Sequence, residues 1–328
     1  MPSEANISRK RCERDAIAGK FFLSLVDYRN NLFTSNNPDD VIKFYESFQS
    51  RDDLIEWMRE RPKGVANIYE VDGDKEIIVV IPTADFNGRY AKECREKIFK
   101  GLHIVFVESG EVPDPYFNYA HNCNVGIKKA MEYKPKWIVV SNDDMKAKSP
   151  PEILKEELRN FSNFDYDAVL VNDPNVSLKI YVATRTFMTK FLDFFYNKRR
   201  NDYYMKGFAI LEKFGLKYYF VGNRSSLFYH RITDFINVGA FCCYSSIYCE
   251  SVQGELYDET FINSTEDYKQ GILLSTNRKG YAFFKKYNIE DLKGRTMPIT
   301  KQRWLRDLAG KLVLDYQIRY ILKCVKMP

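Results

Sequence analysis

The feature of the sequence that most constrains the fold is an unbroken run of β-branched residues. It extends from Ile77 to Ile81, contains no polar position, and is followed by Pro82. A strand that is apolar on both faces is typical of a parallel sheet covered by helices on both sides. The run therefore predicts a buried central strand in an α/β fold.

Strand-like and helix-like stretches alternate from this run onward, with short connections between them. Such alternation is typical of a doubly wound α/β sheet, in which ligands bind beyond the carboxyl ends of the strands. The predicted elements are, in order, strand Ile77–Ile81, helix Arg89–Lys100, strand His103–Val107, helix Asn118–Met131, strand Trp137–Val140, helix Glu152–Phe161 and strand Ala168–Val171. The less regular second half predicts strands at Leu178–Ala183, Tyr218–Val221 and Val238–Tyr244, and an aromatic-rich helix at Phe187–Tyr196.

Both terminal segments show helical periodicity. Apolar residues recur at helical spacing between Val41 and Phe48 and again between Leu54 and Met58, which predicts a helical extension over residues 1–74. Residues 305–328 predict an amphipathic helix with more basic than acidic residues. We expect this helix either to contact an anionic membrane surface or to dock on the central domain, which we place at residues 75–304.

The composition is that of a folded globular protein and excludes a disordered or fibrous chain. The 328 residues are 45% hydrophobic and 29% charged, and the aromatic share of 15% suits a large core or a cleft that stacks bases and sugars. The net charge of +6 is too small to require nucleic acid as a partner. The seven cysteines lack Cys-x-x-Cys spacing, so neither a zinc site nor a disulfide framework is predicted.

The distribution of apolar residues also bears on location. The amino-terminal residues show no apolar stretch of the kind found in signal peptides. The longest apolar runs are strand-sized, far shorter than the roughly 20 residues that cross a bilayer. We therefore expect a cytoplasmic protein, with the basic C-terminal helix as its candidate contact with a membrane surface, and the sequence leaves the oligomeric state open.

The sharpest local motif is acidic and follows a predicted strand. Asn142-Asp143-Asp144 comes directly after Trp137–Val140 and Ser141, where an α/β sheet places its ligands. Carboxylate and amide oxygens suit Mg²⁺ or Mn²⁺, and such a cation would bind a diphosphate. A polar turn that ends the strand explains the same residues equally well.

A second acidic pair begins a predicted helix in the second half of the chain. Glu266 and Asp267 follow Thr265 and precede the apolar run Ile272 to Leu274. A threonine cap with acids in the first turn is ordinary helix chemistry, so this pair has a structural explanation beside a catalytic one.

Six short motifs follow one another along the chain. They are Ile81-Pro82-Thr83, Val107-Glu108-Ser109-Gly110, the helix motif from Ala120 to Gly126 with Asn124, Asn142-Asp143-Asp144, Gly239-Ala240 with Gly254 to Glu259, and Thr265-Glu266-Asp267 followed by Arg303-Trp304. Each motif alone is short, but in their order and spacing they resemble the inverting family 2 glycosyltransferases of the GT-A fold over roughly residues 75–305.

The resemblance implies a GT-A domain, which is a Rossmann-like mixed sheet flanked by helices, with helical extensions at both ends. It implies metal-dependent transfer of a sugar, with inversion, from a nucleoside-diphosphate sugar to a hydroxyl acceptor. Asp267 would be the general base, Glu266 would position the acceptor, and Asp144 with Asn142 would bind Mn²⁺ or Mg²⁺. The implied donor-binding residues are Pro82, Thr83, Asp85, Glu108, Asn124, Asp143, Arg303 and Trp304, and Gly239 with Ala240 would border the acceptor.

The sequence departs from the family pattern at three places. Glu108 stands where aspartate is usual, and no histidine follows His230 to match the family's late metal-binding histidine. Thr300 occupies the glutamine position of the Gln-x-x-Arg-Trp motif found in the family's polysaccharide synthases. This last departure disfavours processive polymer synthesis.

Two other functions fit parts of the sequence. A catalytically inactive GT-A-like domain would bind a nucleotide sugar, a glycan or a protein partner, but the presence of both Asp144 and Asp267 favours an enzyme. A nicotinamide-dependent enzyme is disfavoured because Pro82 to Asp85 follow the first strand in place of a Gly-x-Gly-x-x-Gly turn. The acceptor class stays open among lipid, glycan, protein and small molecule.

Overall fold

A computed structural model describes most of the chain between residues 27 and 313. It shows a mixed α/β architecture in which helices flank a seven-stranded sheet. This confirms the α/β fold class that the alternation of elements predicts. The described residues are 27–110, 112, 114–172, 177–183, 210, 213–214, 218–222, 230–276, 280–292, 308–310 and 312–313.

The strands of the described residues form three sheets. They are β1 Asn67–Val71, β2 Asp74–Thr83, β3 Leu102–Glu108, β4 Trp137–Ser141, β5 Met145–Ala147, β6 Ala168–Leu170, β7 Ser177–Ala183, β8 Tyr218–Gly222, β9 His230–Ile236, β10 Phe241–Ser245, β11 Tyr281–Phe283 and β12 Ile289–Asp291. The large sheet has the order β1-β3-β2-β4-β10-β6-β11. Strands β8, β7 and β9 form an antiparallel sheet, and β12 pairs antiparallel with β5.

The helices of the described residues lie mostly between these strands. They are α1 Pro38–Glu46, α2 Arg51–Glu60, α3 Arg89–Glu93, α4 Tyr119–Met131, α5 Pro151–Phe161, α6 Ser246–Ser251 and α7 Glu266–Thr276. Residues 27–34 are also helical, and a π-helical turn, Cys94–Ile98, continues α3.

The β-branched run occupies the centre of the large sheet, as predicted. Strand β2 pairs parallel with β3 on one side and with β4 on the other. Its side chains alternate between two cores: Ile77 and Val79 pack on the side of α3 and α5, while Ile78 and Val80 pack on the side of α4. Because both faces are covered, every position in the run is apolar.

Helix α4 packs unusually close to this sheet at Gly126. A Cβ atom on Gly126 would collide with Val80 Cγ1 and would lie 2.8 Å from Val107 Cγ2. The glycine of the helix motif therefore has a packing role, since it lets the helix backbone approach β2 and β3.

The observed elements differ from the predicted ones in several places. The predicted helix Arg89–Lys100 is α-helical only to Glu93 and continues as the π-helical turn. The predicted strand Val238–Tyr244 begins at Phe241, because residues 237–240 form the connection from β9, which the sequence did not predict. The predicted helix Phe187–Tyr196 lies outside the described residues.

The N-terminal segment is not wholly helical. Helices α1 and α2 match the two predicted helical stretches, but β1 also lies within residues 1–74 and pairs antiparallel with β3 at the edge of the large sheet. Its residues Asn67 to Glu70 are exposed, so an edge strand here carries too few buried apolar residues for a sequence pattern to reveal it.

Part of the C-terminal segment docks against the N-terminal helices. Leu308 and Leu312 are buried in one core with Phe44, Tyr45 and Phe261. The contact with Phe261 is with the central domain, as the docking alternative predicts, whereas Phe44 and Tyr45 belong to the N-terminal segment, which was not predicted as a partner. The rest of 305–328 lies outside the described part of the chain. Among the helices that the structure describes, none is both long enough and apolar enough to cross a membrane.

Candidate functional site

The carboxyl ends of neighbouring parallel strands bring the predicted donor residues together. Thr83 at the end of β2 is paired with Glu108 at the end of β3, and β4 ends at Ser141, directly before Asn142. Strand β10 runs antiparallel to β4 and begins opposite this point, so its entry segment lies beside the same edge. The Asn142 N–H donates to the Ala240 carbonyl at 2.8 Å. The acidic motif and the predicted acceptor segment Gly239-Ala240 are therefore neighbours.

Asp143 is the buried carboxylate of this edge. Its side chain is only 6% exposed, and its Oδ2 accepts a hydrogen bond from Thr83 Oγ1 at 2.8 Å. Burial raises the pKa of Asp143 to about 6, the hydrogen bond from Thr83 opposes the rise, and the adjacent charge of Asp144 adds to it. The carboxylate is therefore a group that a bound cation would stabilise.

The π-helical turn after α3 also contacts Asp143, through the backbone of that residue. Cys94 Sγ donates to the backbone carbonyl of Asp143 at 3.4 Å, and the turn is closed by the Phe99 N–H, which donates to the Cys94 carbonyl at 2.8 Å. Burial raises the pKa of Cys94 far above its usual range, so this thiol is not a nucleophile. Cys94 holds the backbone of the acidic motif.

Asp85 and Glu108 hold the loop that follows β2. Glu108 Oε2 accepts from the Phe86 N–H at 2.7 Å, and Asp85 Oδ1 accepts from the Asn87 N–H at 2.8 Å. Both carboxylates remain partly exposed, whereas Pro82 is buried. The structure thus places both predicted donor contacts at the sheet edge, where they also fix the loop backbone.

Tyr119 connects the acidic motif with the second acidic pair, and the sequence analysis missed it. Its hydroxyl donates to Asn142 Oδ1 at 2.7 Å. Burial is the main reason why the pKa of Tyr119 lies well above its usual range, and the nearby Glu266 carboxylate contributes to the rise. One side chain at the start of α4 is therefore close to both predicted halves of the site.

No sequence signal singled out Tyr119. An aromatic residue at the start of a predicted helix is ordinary, and its partner lies 23 positions away at the end of a strand. Only the packing of α4 on the sheet brings the two together.

The donor set of the acidic motif suits a cation that takes most of its ligands from a substrate. Asp144 is 4% exposed, and Asp143 is similarly buried. The side-chain oxygen of Asn142, Oδ1, already accepts a hydrogen bond from the Tyr119 hydroxyl. No group of three or more His, Cys, Asp or Glu side chains that could hold a metal occurs among the described residues. Mg²⁺ is commonly held by one or two carboxylates together with substrate phosphates, and the residues present fit that mode rather than an all-protein cage.

Asn124 is buried, and its side chain is hydrogen-bonded within the protein. Its side chain is 1% exposed, its Nδ2 donates to the Tyr257 carbonyl at 2.7 Å, and its Oδ1 accepts from the Tyr257 N–H at 3.0 Å. Glu259 accepts from both Asn124, at 3.2 Å, and His121, at 3.0 Å. The predicted donor-binding asparagine therefore joins α4 to the segment that leads toward α7.

The second acidic pair begins helix α7, as predicted. Glu266 is 8% exposed, and Asp267 is partly exposed with its Oδ1 accepting from the Tyr268 N–H at 3.0 Å. Burial raises the pKa of Asp267 to about 6, and backbone hydrogen bonds oppose the rise. A carboxylate with this pKa is mostly ionised at pH 7 and is still a stronger base than an ordinary aspartate.

The residue before this pair does not act as an ordinary cap. Thr265 has a backbone φ of 66°, and its hydroxyl donates to the Ser264 carbonyl at 2.7 Å. A positive φ is unfavourable for a β-branched residue. The capping alternative raised by the sequence therefore does not describe the geometry of Thr265.

Two predicted site residues, Arg303 and Trp304, lie outside the described residues. The comparisons with known proteins add no relative: no protein-family model matches the chain, and no curated protein matches it. The site is therefore interpreted from its own geometry and from the motifs of the sequence.

Proposed function

We propose that the chain is a metal-dependent glycosyltransferase of the GT-A type, similar to the inverting family 2 enzymes. It would move a sugar from a nucleoside-diphosphate sugar to a hydroxyl acceptor in the cytoplasm. The observation that carries the proposal is that one tyrosine is hydrogen-bonded to the first acidic motif and to the segment that precedes the second, more than 120 residues away in the sequence. The Tyr119 hydroxyl donates to Asn142, and the Tyr119 N–H donates to Asn263 Oδ1 at 2.8 Å, three residues before Glu266.

The residues of the first motif suit the diphosphate of the donor. Asp144, with Asn142 or Asp143, would hold Mg²⁺ or Mn²⁺, which when bound would neutralise charge on the leaving diphosphate. Thr83 orients the Asp143 carboxylate, and Asp85 and Glu108 lie at the neighbouring strand ends for contacts with the ribose and base. Arg303 and Trp304 remain donor contacts by resemblance alone.

The residues of the second motif suit the acceptor. An alcohol is a weak nucleophile at neutral pH, and a positioned carboxylate that removes its proton contributes typically about 10²- to 10⁴-fold to the rate. Asp267 has a pKa raised to about 6 by burial and would take this proton. Glu266 would orient the acceptor beside Gly239 and Ala240.

The proposal is tested by hydrolysis and transfer assays with a panel of nucleoside-diphosphate sugars and Mn²⁺ or Mg²⁺. We expect slow metal-dependent hydrolysis of one donor by the unchanged chain. Asp144→Ala should lose metal-dependent donor binding, whereas Asp267→Asn should keep binding and lose transfer. The two variants differ in which step fails, and equal loss of both steps in each would contradict the assigned roles.

A second candidate is a GT-A-like domain that binds a nucleotide sugar, a glycan or a protein without transfer. The observation in its favour is that two oxygens of the acidic motif already accept hydrogen bonds within the protein: Asp143 Oδ2 from Thr83 and Asn142 Oδ1 from Tyr119. This candidate predicts donor or glycan binding that survives Asp267→Asn, with no hydrolysis by any variant.

A further inference from the structure

The backbone that leads into the second acidic pair is strained at Thr265. Its φ is 66°, in the left-handed region that β-branched residues rarely adopt, and Asn263, a residue type that tolerates this region, has a φ of 56°. Such conformations persist only where the surroundings hold them, and they cluster at functional sites.

Asn263 is held by the chain before helix α4. Its Oδ1 accepts from the Tyr119 N–H at 2.8 Å, and its Nδ2 donates to the Phe117 carbonyl at 3.2 Å. These bonds anchor the strained segment to the same residue, Tyr119, whose hydroxyl donates to Asn142. One side of the segment is therefore fixed by hydrogen bonds.

Thr265 is held from the other side by the C-terminal clamp, the name used here for residues 308–310 and 312–313. A Cβ atom on Gly310 would lie 2.6 Å from Thr265 Oγ1 and 2.8 Å from the Ser264 carbonyl oxygen. Real Cβ atoms do not approach other atoms so closely, so only glycine fits without movement. The clamp backbone thus rests directly on the residue that precedes Glu266.

The clamp is itself fixed to the core. Leu308 and Leu312 are buried with the N-terminal helices, and the Ala309 N–H donates to the Tyr45 hydroxyl at 3.1 Å. Gly310 lies between these anchors. Because the residues on both sides of Gly310 are fixed, the clamp cannot move away from Thr265, and a larger side chain at position 310 would displace Thr265.

We propose that the C-terminal clamp is a positioning element for the Glu266 and Asp267 pair, which it acts on through the contact of Gly310 with Thr265. The inference rests on the proposed glycosyltransferase function, in which these carboxylates bind the acceptor and remove its proton. The clamp keeps Thr265 in its left-handed conformation, and that conformation sets the direction in which helix α7 begins.

The test uses the full chain and four variants: Gly310→Ala, Thr265→Gly, both together, and Leu158→Ala as a control. Leu158 is fully buried in helix α5, in a different core from the clamp. Gly310→Ala adds the methyl group that displaces Thr265, and we expect kcat of transfer to fall about 10- to 100-fold with little change in the donor KM. Thr265→Gly removes the contacted hydroxyl and accepts a positive φ, while the contact with the Ser264 carbonyl stays, so the double variant should regain part of the kcat that Gly310→Ala loses. Leu158→Ala should lower stability while the folded fraction keeps its kcat.

A second readout does not depend on transfer activity. The pH dependence of unfolding, compared with and without Asp267→Asn, gives the pKa of Asp267 in each background. We expect Gly310→Ala to bring this pKa back toward its ordinary value, and Leu158→Ala to leave it raised. If the unchanged chain transfers no sugar, the proposed function fails, and the pKa comparison still decides whether the clamp positions Asp267.

Three results would overturn the clamp proposal. They are an unchanged kcat and an unchanged Asp267 pKa in Gly310→Ala, an equal fall of kcat in Leu158→Ala, or no recovery in the double variant. If Gly310→Ala alone does not fold, each of two second substitutions, Thr265→Gly and Thr265→Ser, is added to it. Folding that is recovered with Thr265→Gly but not with Thr265→Ser supports a direct contact between Gly310 and the Thr265 hydroxyl. Recovery with neither contradicts that contact.

Discussion

At the scale of single residues, the two predicted halves of the site share an electrostatic property. Asp143 and Asp267 both have pKa values raised to about 6, with burial as the largest cause. Folding has therefore placed two carboxylates where their charged forms are poorly solvated. In proteins such groups are enriched at functional sites, because a substrate, a proton or a cation can then interact with them strongly.

The raised pKa of Asp267 makes a prediction about stability. The group is neutral in both states below its unfolded pKa of about 4, and it is charged in both states above about 6, so its cost to folding appears as the pH rises between these values. Asp267→Asn should therefore raise the free energy of unfolding at pH 7 by roughly 1–3 kcal/mol and leave it nearly unchanged at pH 4. Urea unfolding at the two pH values measures this difference.

Asp258 is the matched control for this prediction. Burial is the largest single effect and acts to raise its pKa, but the ion pair with Lys269, at 2.6 Å, and the hydrogen bonds from Thr260 together outweigh burial and hold the pKa below its usual range. Asp258→Asn should accordingly lower stability at pH 7, the opposite sign. A gain in both variants would show that removal of any buried carboxylate stabilises the chain, which would contradict the specific cause given for Asp267.

Tyr119 makes a second prediction at this scale. Tyr119→Phe removes the hydroxyl that donates to Asn142 and leaves a partly buried amide oxygen without that donor. We expect a loss of about 0.5–1.5 kcal/mol in the free energy of unfolding. Tyr28→Phe, at a tyrosine that is 60% exposed, is the control and should change stability little; equal effects of the two would rule out a specific role for the Tyr119 bond.

At the scale of elements, the sequence predicts those strands and helices whose buried residues form a pattern within a short stretch of the chain. The β-branched run marks β2 because helices cover both of its faces, and helix α5 begins within one residue of its predicted start. Strand β9 was missed because Arg231, Thr233 and Asp234 interrupt its apolar residues. The π-helical turn was missed because its cause is the packing of Cys94 under Asp143, which is tertiary.

The same distinction holds for the candidate site. Strand order places Thr83, Glu108 and Asn142 at one edge, and this was predictable from parallel strands alone. The partners of Tyr119 and the strain at Thr265 depend on contacts between segments far apart in the chain, for which the sequence carries no local signal.

Helix α4 provides the test at this scale. Gly126→Ala places a methyl group against Val80 and Val107, and the overpacking should outweigh the better helix propensity of alanine, for a net loss of about 1–3 kcal/mol. Lys128→Ala, at an exposed position of the same helix, should change stability by less than about 0.5 kcal/mol. Denaturant unfolding distinguishes the two, and an increase in stability for Gly126→Ala would show that α4 does not pack as closely as described.

At the scale of the whole molecule, the described parts of the two terminal segments form one core. Helices α1 and α2 pack with the C-terminal clamp, and that core also includes Phe235 and Ile272 next to the sheet. The terminal segments are thus joined to the element that carries Asp267. Their stability and the geometry of the candidate site should change together.

The shared core predicts a large effect from one distant residue. Leu312→Ala, at a fully buried position, should lower the free energy of unfolding by about 2–5 kcal/mol. Val65→Ala, at an apolar residue that is 51% exposed, should change it little. Thermal and urea unfolding measure both, and a small effect of Leu312→Ala would mean that the C-terminal residues do not belong to the core.

The proposed function requires the carboxyl ends of β2, β3 and β4 to bind a nucleoside-diphosphate sugar together with a divalent cation. Isothermal calorimetry with a panel of nucleoside-diphosphate sugars, with and without Mn²⁺ or Mg²⁺, measures this binding. We expect one donor to bind the unchanged chain only when the metal is present, and Asp144→Ala to abolish this binding. If no nucleotide sugar binds in the presence of metal, the proposed function is wrong.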